Sequence, residues 1–528
     1  MQRPAILSLL ASILFFAATA QPAPPTHAPQ VRVAGGTLEG IVERSGVHSF
    51  KGIPFAAPPV GNLRWREPQP AAKWDGIRKA DHFAAKAMQL PIYSDMQFRA
   101  AGTSEDCLYL NIWQPAEAAA AMHANSKILL PVLVYFYGGG YTAGDGSEYR
   151  YDGESMATKG IVAITVNYRL GLFGFFAHPQ LSKESPHHAS GNYGLLDQAA
   201  ALKWVQENIK AFGGDPKKIT IAGESAGSTS VSAQMASPLS RDLIAGAIGE
   251  SGSLLGTLTP TTLNDAEAHG LEFQKAVGAA DLAALRAMAA EKLLESTKTA
   301  NIRFGVDVDG YFFPQSPYAI FAAGKQAHVP LLAGWNAEEG NYRSIIGSDA
   351  QPTRESFANG VKKLYGPAAD SILNVYNPAT DNDVITVGND LASDRFIGFS
   401  TWKWIDMQIR TGGTPVYRYH YEHPRPGASA SHSSEIEYAL GNLATNKVYN
   451  WTAEDYKVSA TMQAYFANFI RTGNPNGAGL LQWPAATKAN TLPGAPGTPV
   501  MHIDVDCKAR PEEHRDRYLL LDSRVGWQ

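Results

Sequence analysis

Apolar runs that stop at small residues punctuate this chain, and they predict buried strands, several of which end in glycine-bearing turns. Lys218-Ile-Thr-Ile-Ala222 is a β-branched run, and the segment from Ser228 to Met235 that follows it reads as the start of a helix. Pro131-Val-Leu-Val-Tyr-Phe-Tyr137 is another short apolar strand, stopped by Gly138, Gly139 and Gly140. Val329-Pro-Leu-Leu-Ala-Gly334 predicts a third, opening into a loop with two carboxylates, Glu338 and Glu339. Pro415 to Tyr421 alternates like a strand and leads to a loop containing His432. Asp281 to Leu294 has a different rhythm, with apolar residues at helical spacing. The regions around 254–326 and 341–400 are therefore expected to be largely helical inserts, lying over the mouth of a site.

The first residues follow another pattern. A short basic start at Met1-Gln-Arg3, an apolar run from Ala5 to Ala17 and Ala18-Thr-Ala20 before Gln21 have the form of an export signal cleaved after Ala20. Such a run is too short to span a bilayer comfortably. The expectation is a secreted or periplasmic protein with no stable membrane anchor, whose mature chain begins with a flexible segment over residues 21–30. No later stretch reads as a transmembrane helix.

Composition narrows the class. Among 528 residues, 45% are hydrophobic and 18% charged, enough apolar material for an extensive core. A formal charge of -4 gives no reason to expect nucleic acid or an anionic membrane as partner. Length alone allows two or three domains. The informative motifs, however, run from residue 50 to residue 432 and converge on one site, so residues 21–528 read as a single catalytic domain.

The chemistry begins at Gly223-Glu224-Ser225-Ala226-Gly227, between a predicted strand and a predicted helix. That context makes it a nucleophile elbow: the glycines relieve clashes in a strained turn that lifts the serine hydroxyl clear of the backbone. The helix start beyond it presents free N–H groups and a positive dipole end to developing negative charge. Five residues are a weak signal in a chain with 49 glycines, so the upstream cluster matters. After Tyr137, the glycines let backbone N–H groups approach a substrate closely, as an oxyanion site needs; the other reading is a tight turn after a buried strand. A serine also needs a base held by a third group. Spacing leaves Glu338 or Glu339 as the acid, and it cannot single out His432 among 14 histidines.

The wider sequence resembles the type-B carboxylesterases, the cholinesterase-like branch of the α/β-hydrolases. Phe50-Lys-Gly-Ile-Pro-Phe-Ala-Ala-Pro-Pro-Val-Gly-Asn-Leu-Arg-Trp65 and Ser104-Glu-Asp-Cys-Leu-Tyr-Leu-Asn111 are similar to its two N-terminal signatures. Asn167-Tyr-Arg-Leu-Gly171, Gly191-Asn-Tyr-Gly-Leu-Leu-Asp197 and Phe212-Gly-Gly-Asp-Pro216 agree as well. The resemblance implies a mostly parallel twisted sheet flanked by helices and hydrolysis of a small-molecule ester by water, without metal or other cofactor. Lys457 to Thr472 resembles the family's last long helix, and Tyr518 to Asp522 its closing segment.

Carried over by motif, the resemblance implies a triad of Ser225, Glu339 and His432 and an oxyanion site of the N–H groups of Gly139, Gly140 and Ala226. Glu224, Ser251 and Glu435 then lie beside the triad. Tyr137 stands where many members have histidine. Many relatives pair the cysteine at Cys107 with one upstream, but this chain has only Cys507 besides, and a Cys107–Cys507 bridge stays open. The loop from Tyr93 to Thr103 lacks the tryptophan of choline-ester hydrolases, leaving Phe98 as an aromatic face. Tyr141, Trp335 and Phe175 are candidates for the substrate pocket or for packing. The expected substrate order is short-to-medium ester, then amide or carbamate, then choline ester. A non-catalytic adhesion protein of the same fold is the rival class. Four other histidines, His187, His188, His420 and His423, read as solvated loop residues, and no zinc spacing or P-loop is present. Oligomeric state is not legible.

Overall fold

Eleven strands form one sheet in the computed structural model, which describes residues 28–123, 128–256, 259–492 and 494–526. The expected export signal and most of the segment 21–30 lie outside those residues. In chain order the strands are β1 (Ile41–Val42), β2 (His48–Pro54), β3 (Tyr109–Gln114), β4 (Leu130–Phe136), β5 (Val162–Val166), β6 (Gly214–Glu224), β7 (Gly246–Glu250), β8 (Leu331–Asn336), β9 (Val416–Tyr421), β10 (Pro499–Ile503) and β11 (Lys508–Pro511). Across the sheet they run β11-β10-β9-β8-β7-β6-β4-β5-β3-β2-β1. Strands β5, β4 and β6 to β10 are parallel to one another, and antiparallel pairs close both edges.

This is the mostly parallel sheet of the α/β-hydrolase fold. Strands covered on both faces should read as unbroken apolar runs, and every residue of β5, β7 and β8 is buried. Helices α1 (Tyr193–Asn208), α2 (Ala226–Ala236), α3 (Phe399–Thr411) and α4 (Ala453–Thr472) pack against it. The strand and helix expected around Ser225 are β6 and α2.

Between β7 and β8 the chain forms helices at Leu263–Ala276, Leu282–Ala287, Ala290–Ala300 and Pro317–Ala322. Between β8 and α3 it forms others at Arg354–Tyr365, Ala369–Val375 and Val384–Ser393, the last running through a π-helical turn, Asp394–Gly398. The helical spacing of Asp281 to Leu294 is broken in two because Met288 is extended. Arg64 accounts for the break: its Nη1 donates to the carbonyls of Arg286 and Met288 at 3.0 and 2.7 Å, satisfying groups that a continuous helix would bond internally.

Both cysteines are free, so the bridge left open above is not made. Cys107 precedes β3 and Cys507 follows β10. Six strands separate those two in the sheet, roughly 30 Å at normal strand spacing, against the ~7 Å that a disulfide tolerates between Cα atoms. Among the described residues, no helix is long and apolar enough to cross a membrane.

Candidate active site

The parallel strands deliver their loops to one edge, where open α/β sheets place their sites. The turn after β6 carries Ser225 at φ 57° and ψ -120°, a strained conformation for a residue with a side chain. Its flanking glycines are forced. A Cβ on Gly227 would lie 2.0 Å from the Phe136 carbonyl oxygen, and one on Gly223 would lie 2.5 Å from the backbone of Gly227.

Two other loops meet Ser225. His432, from the loop after β9, has Nε2 2.9 Å from Ser225 Oγ, and its Nδ1 lies 2.5 Å from Glu339 Oε2, from the loop after β8. The latter contact fixes the tautomer: Nδ1 donates to the carboxylate, leaving Nε2 to accept from the serine hydroxyl. The Glu339 carboxylate is held by the Ser251 hydroxyl at 2.5 Å and the Asn336 N–H at 2.7 Å, both on Oε1. Burial also separates the two candidate acids. Glu339 is buried, whereas Glu338 is exposed.

The two loops are fastened to each other, since the Glu338 N–H donates to the Ala430 carbonyl at 3.0 Å and Asn336 Nδ2 to the Ser431 carbonyl at 2.8 Å. Ser433, which sequence reading passed over, donates to Glu224 Oε1 at 2.6 Å, and the same oxygen lies 3.2 Å from His432 Nε2. No local pattern marks Ser433; its backbone turn at φ 66° is a product of the loop.

The loop after β4 forms the opposite wall. Gly139 and Gly140 have φ of 107° and 62°, and a Cβ on Gly139 would lie 2.2 Å from the Ala143 carbonyl oxygen. Among the described residues, the N–H groups of Gly139, Gly140 and Ala226 donate to no protein acceptor. Tyr137 braces this loop: its ring stacks on Tyr168 at 4.3 Å, and each hydroxyl donates to the other's carbonyl, at 3.1 and 2.6 Å.

Four buried glutamates, Glu224, Glu250, Glu339 and Glu435, surround the base of the site. Burial works against a charged imidazole at His432, yet the carboxylates of Glu224 and Glu339 outweigh it and raise the imidazole above its ordinary value, favouring the cation that forms once it has taken the Ser225 proton. Burial, then Glu435 and Glu224, pushes Glu250 far up, and burial followed by Glu224 and Glu339 raises Glu435 to about 8. A carboxyl raised in the folded state contributes stability that is complete below its unfolded pKa and is lost as pH climbs through the folded value. Glu435→Gln removes that ionisation while keeping an acceptor for Asn336. Its stability relative to the parent is expected to improve by about 1.4 kcal/mol per pH unit between roughly pH 5 and 8. Denaturant melts across that range check this; a pH-independent difference contradicts it.

The expected pocket residues fare less well. Tyr141 is buried behind the oxyanion loop, its ring 4.9 Å from Phe175 and its hydroxyl 3.2 Å from Ser230, so both aromatics pack. Trp335 is also packing: its ring lies 4.5 Å from the Arg418 guanidinium and 5.8 Å from Tyr518. Phe98 faces Lys86 at 5.4 Å. In its place, the same loop brings Tyr93 Oη within 3.3 Å of a Cβ position on Gly140 and Met96 Cε within 3.0 Å of one on Gly139. Phe396, in the π-helical turn, sets its half-exposed ring edge-on to His432 at 5.1 Å. Such turns often accompany functional sites. The histidines read as loop residues also differ, with His423 buried between Asp455 and Asp504 and His420 inside β9.

Known proteins share this sequence over most of its length. The sequence profile of the Carboxylesterase family matches residues 27–507. The chain is 38% identical over 506 residues to a fumonisin B1 esterase of Sphingopyxis macrogoltabida, covering 90% of this chain and 88% of that protein. It is 34% identical over 504 residues to a cocaine esterase of Oryctolagus cuniculus (88% and 90% covered). It is also 34% identical over 499 residues to the pyrethroid hydrolase Ces2e of Rattus norvegicus (88% and 85%).

Proposed function

The chain belongs to the carboxylesterase family and is a carboxylic ester hydrolase, and from that premise we propose that it works through an acyl-enzyme on Ser225. The observation that carries the reading is the unbroken line Ser225 Oγ, His432, Glu339, with contacts of 2.9 and 2.5 Å. Ser225 Oγ attacks the ester carbonyl while His432 Nε2 takes its proton. The tetrahedral oxyanion rests on the N–H groups of Gly139, Gly140 and Ala226, a kind of stabilisation worth roughly 100- to 1000-fold per donor. As the acyl C–O bond breaks, His432 returns the proton to the departing alcohol. A water deprotonated by the same nitrogen then attacks the acyl-enzyme, releasing the acid and restoring Ser225. Glu339 holds the imidazole and stabilises its cationic form, Ser251 and Glu224 position these groups, and Glu435 lies beneath them.

Residues 21–528 act as one catalytic domain under this reading, with the helices around 254–326 and 341–400 shaping the entrance. The basic start, apolar run and Ala18-Thr-Ala20 support removal of residues 1–20 on export to the periplasm or beyond. For substrate, Met96 and Phe396 beside the reacting groups support an apolar acyl or alcohol portion of short to medium length. Turnover of aryl esters of graded acyl length, a choline ester and an anilide tests this. Short-to-medium esters are expected to exceed the anilide and choline ester by at least about 100-fold in kcat/KM, a difference of about 2.7 kcal/mol in transition-state binding. Preference for the choline ester or the anilide sinks the substrate assignment and leaves the acyl-enzyme intact.

A further inference from the structure

At the ends of β9 and β10, two imidazoles and a carboxylate converge outside the triad. The parallel ladder sets His420 opposite His502, with ring centroids 5.7 Å apart. Glu422 is fixed just beyond β9 by its own N–H, which donates to the Ile503 carbonyl at 3.0 Å. Its Oε1 lies 3.1 Å from His420 Nδ1 and 2.7 Å from His502 Nδ1. We propose that His420, Glu422 and His502 bind one divalent transition-metal ion of the zinc type.

Four observations carry this. The donor atoms all lie within 4.8 Å of one another. A tetrahedral ion with bonds of 2.0–2.2 Å sets its ligand atoms roughly 3.3 Å apart, so small rotamer adjustments admit it. The donor set is two nitrogens and one oxygen, which suits zinc, cobalt, nickel or copper and not calcium or magnesium, whose sites are built from oxygen. Exposure is graded as well. The His502 side chain is 10% exposed, whereas His420 and Glu422 are 27% and 35% exposed, leaving a fourth position open to water. Neither imidazole has another hydrogen-bond partner among the described residues, so the carboxylate is the polar group that both address. An ion there ties β9 to β10 just before the loop that carries His432.

The test uses full-length protein freed of metal by chelator and titrated with Co2+, whose visible d–d absorption reports a low-symmetry site. One Co2+ per chain is expected, displaced by Zn2+, and His420→Gln and Glu422→Gln should each weaken binding by at least about 10-fold. Asp504→Asn, which disrupts the adjacent His423–Asp504 pair, should leave binding within about 3-fold, since an outer contact that mattered would cost more. X-ray absorption at the zinc edge of the unaltered protein adds a readout independent of any variant: scattering from two imidazoles is expected. Absence of stoichiometric binding, indifference to both substitutions, or a zinc shell without imidazole overturns the proposal and leaves a hydrogen-bonded His–Glu–His cluster.

Discussion

Ser225→Ala is expected to lower kcat for a short aryl ester by about 10^5- to 10^6-fold while leaving the protein folded. The size follows from where Oγ stands. It is the atom 2.9 Å from His432 Nε2, and without it His432, Glu339 and the oxyanion donors have no nucleophile to activate. Some catalysis should survive, because the N–H groups of Gly139, Gly140 and Ala226 still polarise a bound carbonyl toward attack by water. Folding should survive because the strained backbone at φ 57° is imposed by β6, α2 and the close approach of Gly223 and Gly227, and alanine meets no more strain there than serine. Steady-state turnover, labelling by a fluorophosphonate probe and a thermal melt check the three parts together. Turnover within tenfold of the parent would end the acyl-enzyme mechanism, and an unlabelled parent protein would count against Ser225 as its activated nucleophile.

What could be read before the structure was what the backbone dictates locally. At Gly223, Gly227 and Gly139, any side chain would collide with a neighbouring main chain, so glycine is written into the sequence wherever the site needs a close approach. The apolar runs are legible for a similar reason, since a strand covered on both faces can tolerate little else. The acid and base were not legible from spacing. Glu338 and Glu339 are adjacent letters, and only the fold sends one to solvent and the other to His432. Family resemblance chose between them.

The pocket escaped for a further reason. Trp335 sits on a strand whose faces are both covered, and its indole is spent on Arg418 and Tyr518. Phe396 reaches the site from a π-helical turn, whose extra residue per turn shifts side chains off the periodicity by which a helix face is read. His420 and His502 come together only because β9 and β10 pair in one register, a contact that leaves no trace in local sequence. Pocket and cluster alike are assembled by topology.

The same logic makes Glu339 the more incisive position to probe. Glu339→Gln is expected to reduce kcat by about 10^4-fold with little change in KM and no loss of fold. Glutamine is isosteric, and its carbonyl oxygen can still accept from the Ser251 hydroxyl and the Asn336 N–H, which hold Oε1 at 2.5 and 2.7 Å. The other arm then becomes an amide NH2 facing His432 Nδ1, where the parent has a carboxylate oxygen at 2.5 Å. A donor at that place favours the imidazole tautomer with its proton on Nε2, the nitrogen that must accept from Ser225, and it removes the charge that stabilises imidazolium in the transition state. Losing a negative charge also lowers the pKa of His432, so whatever activity remains should show its acidic limb shifted to lower pH by about one unit or more. A pH profile of kcat/KM alongside a melt separates this from general damage, which would lower activity without moving the limb. If the variant kept its parent's kcat within tenfold, Glu339 would be a structural acid and another of the buried glutamates would have to carry the role.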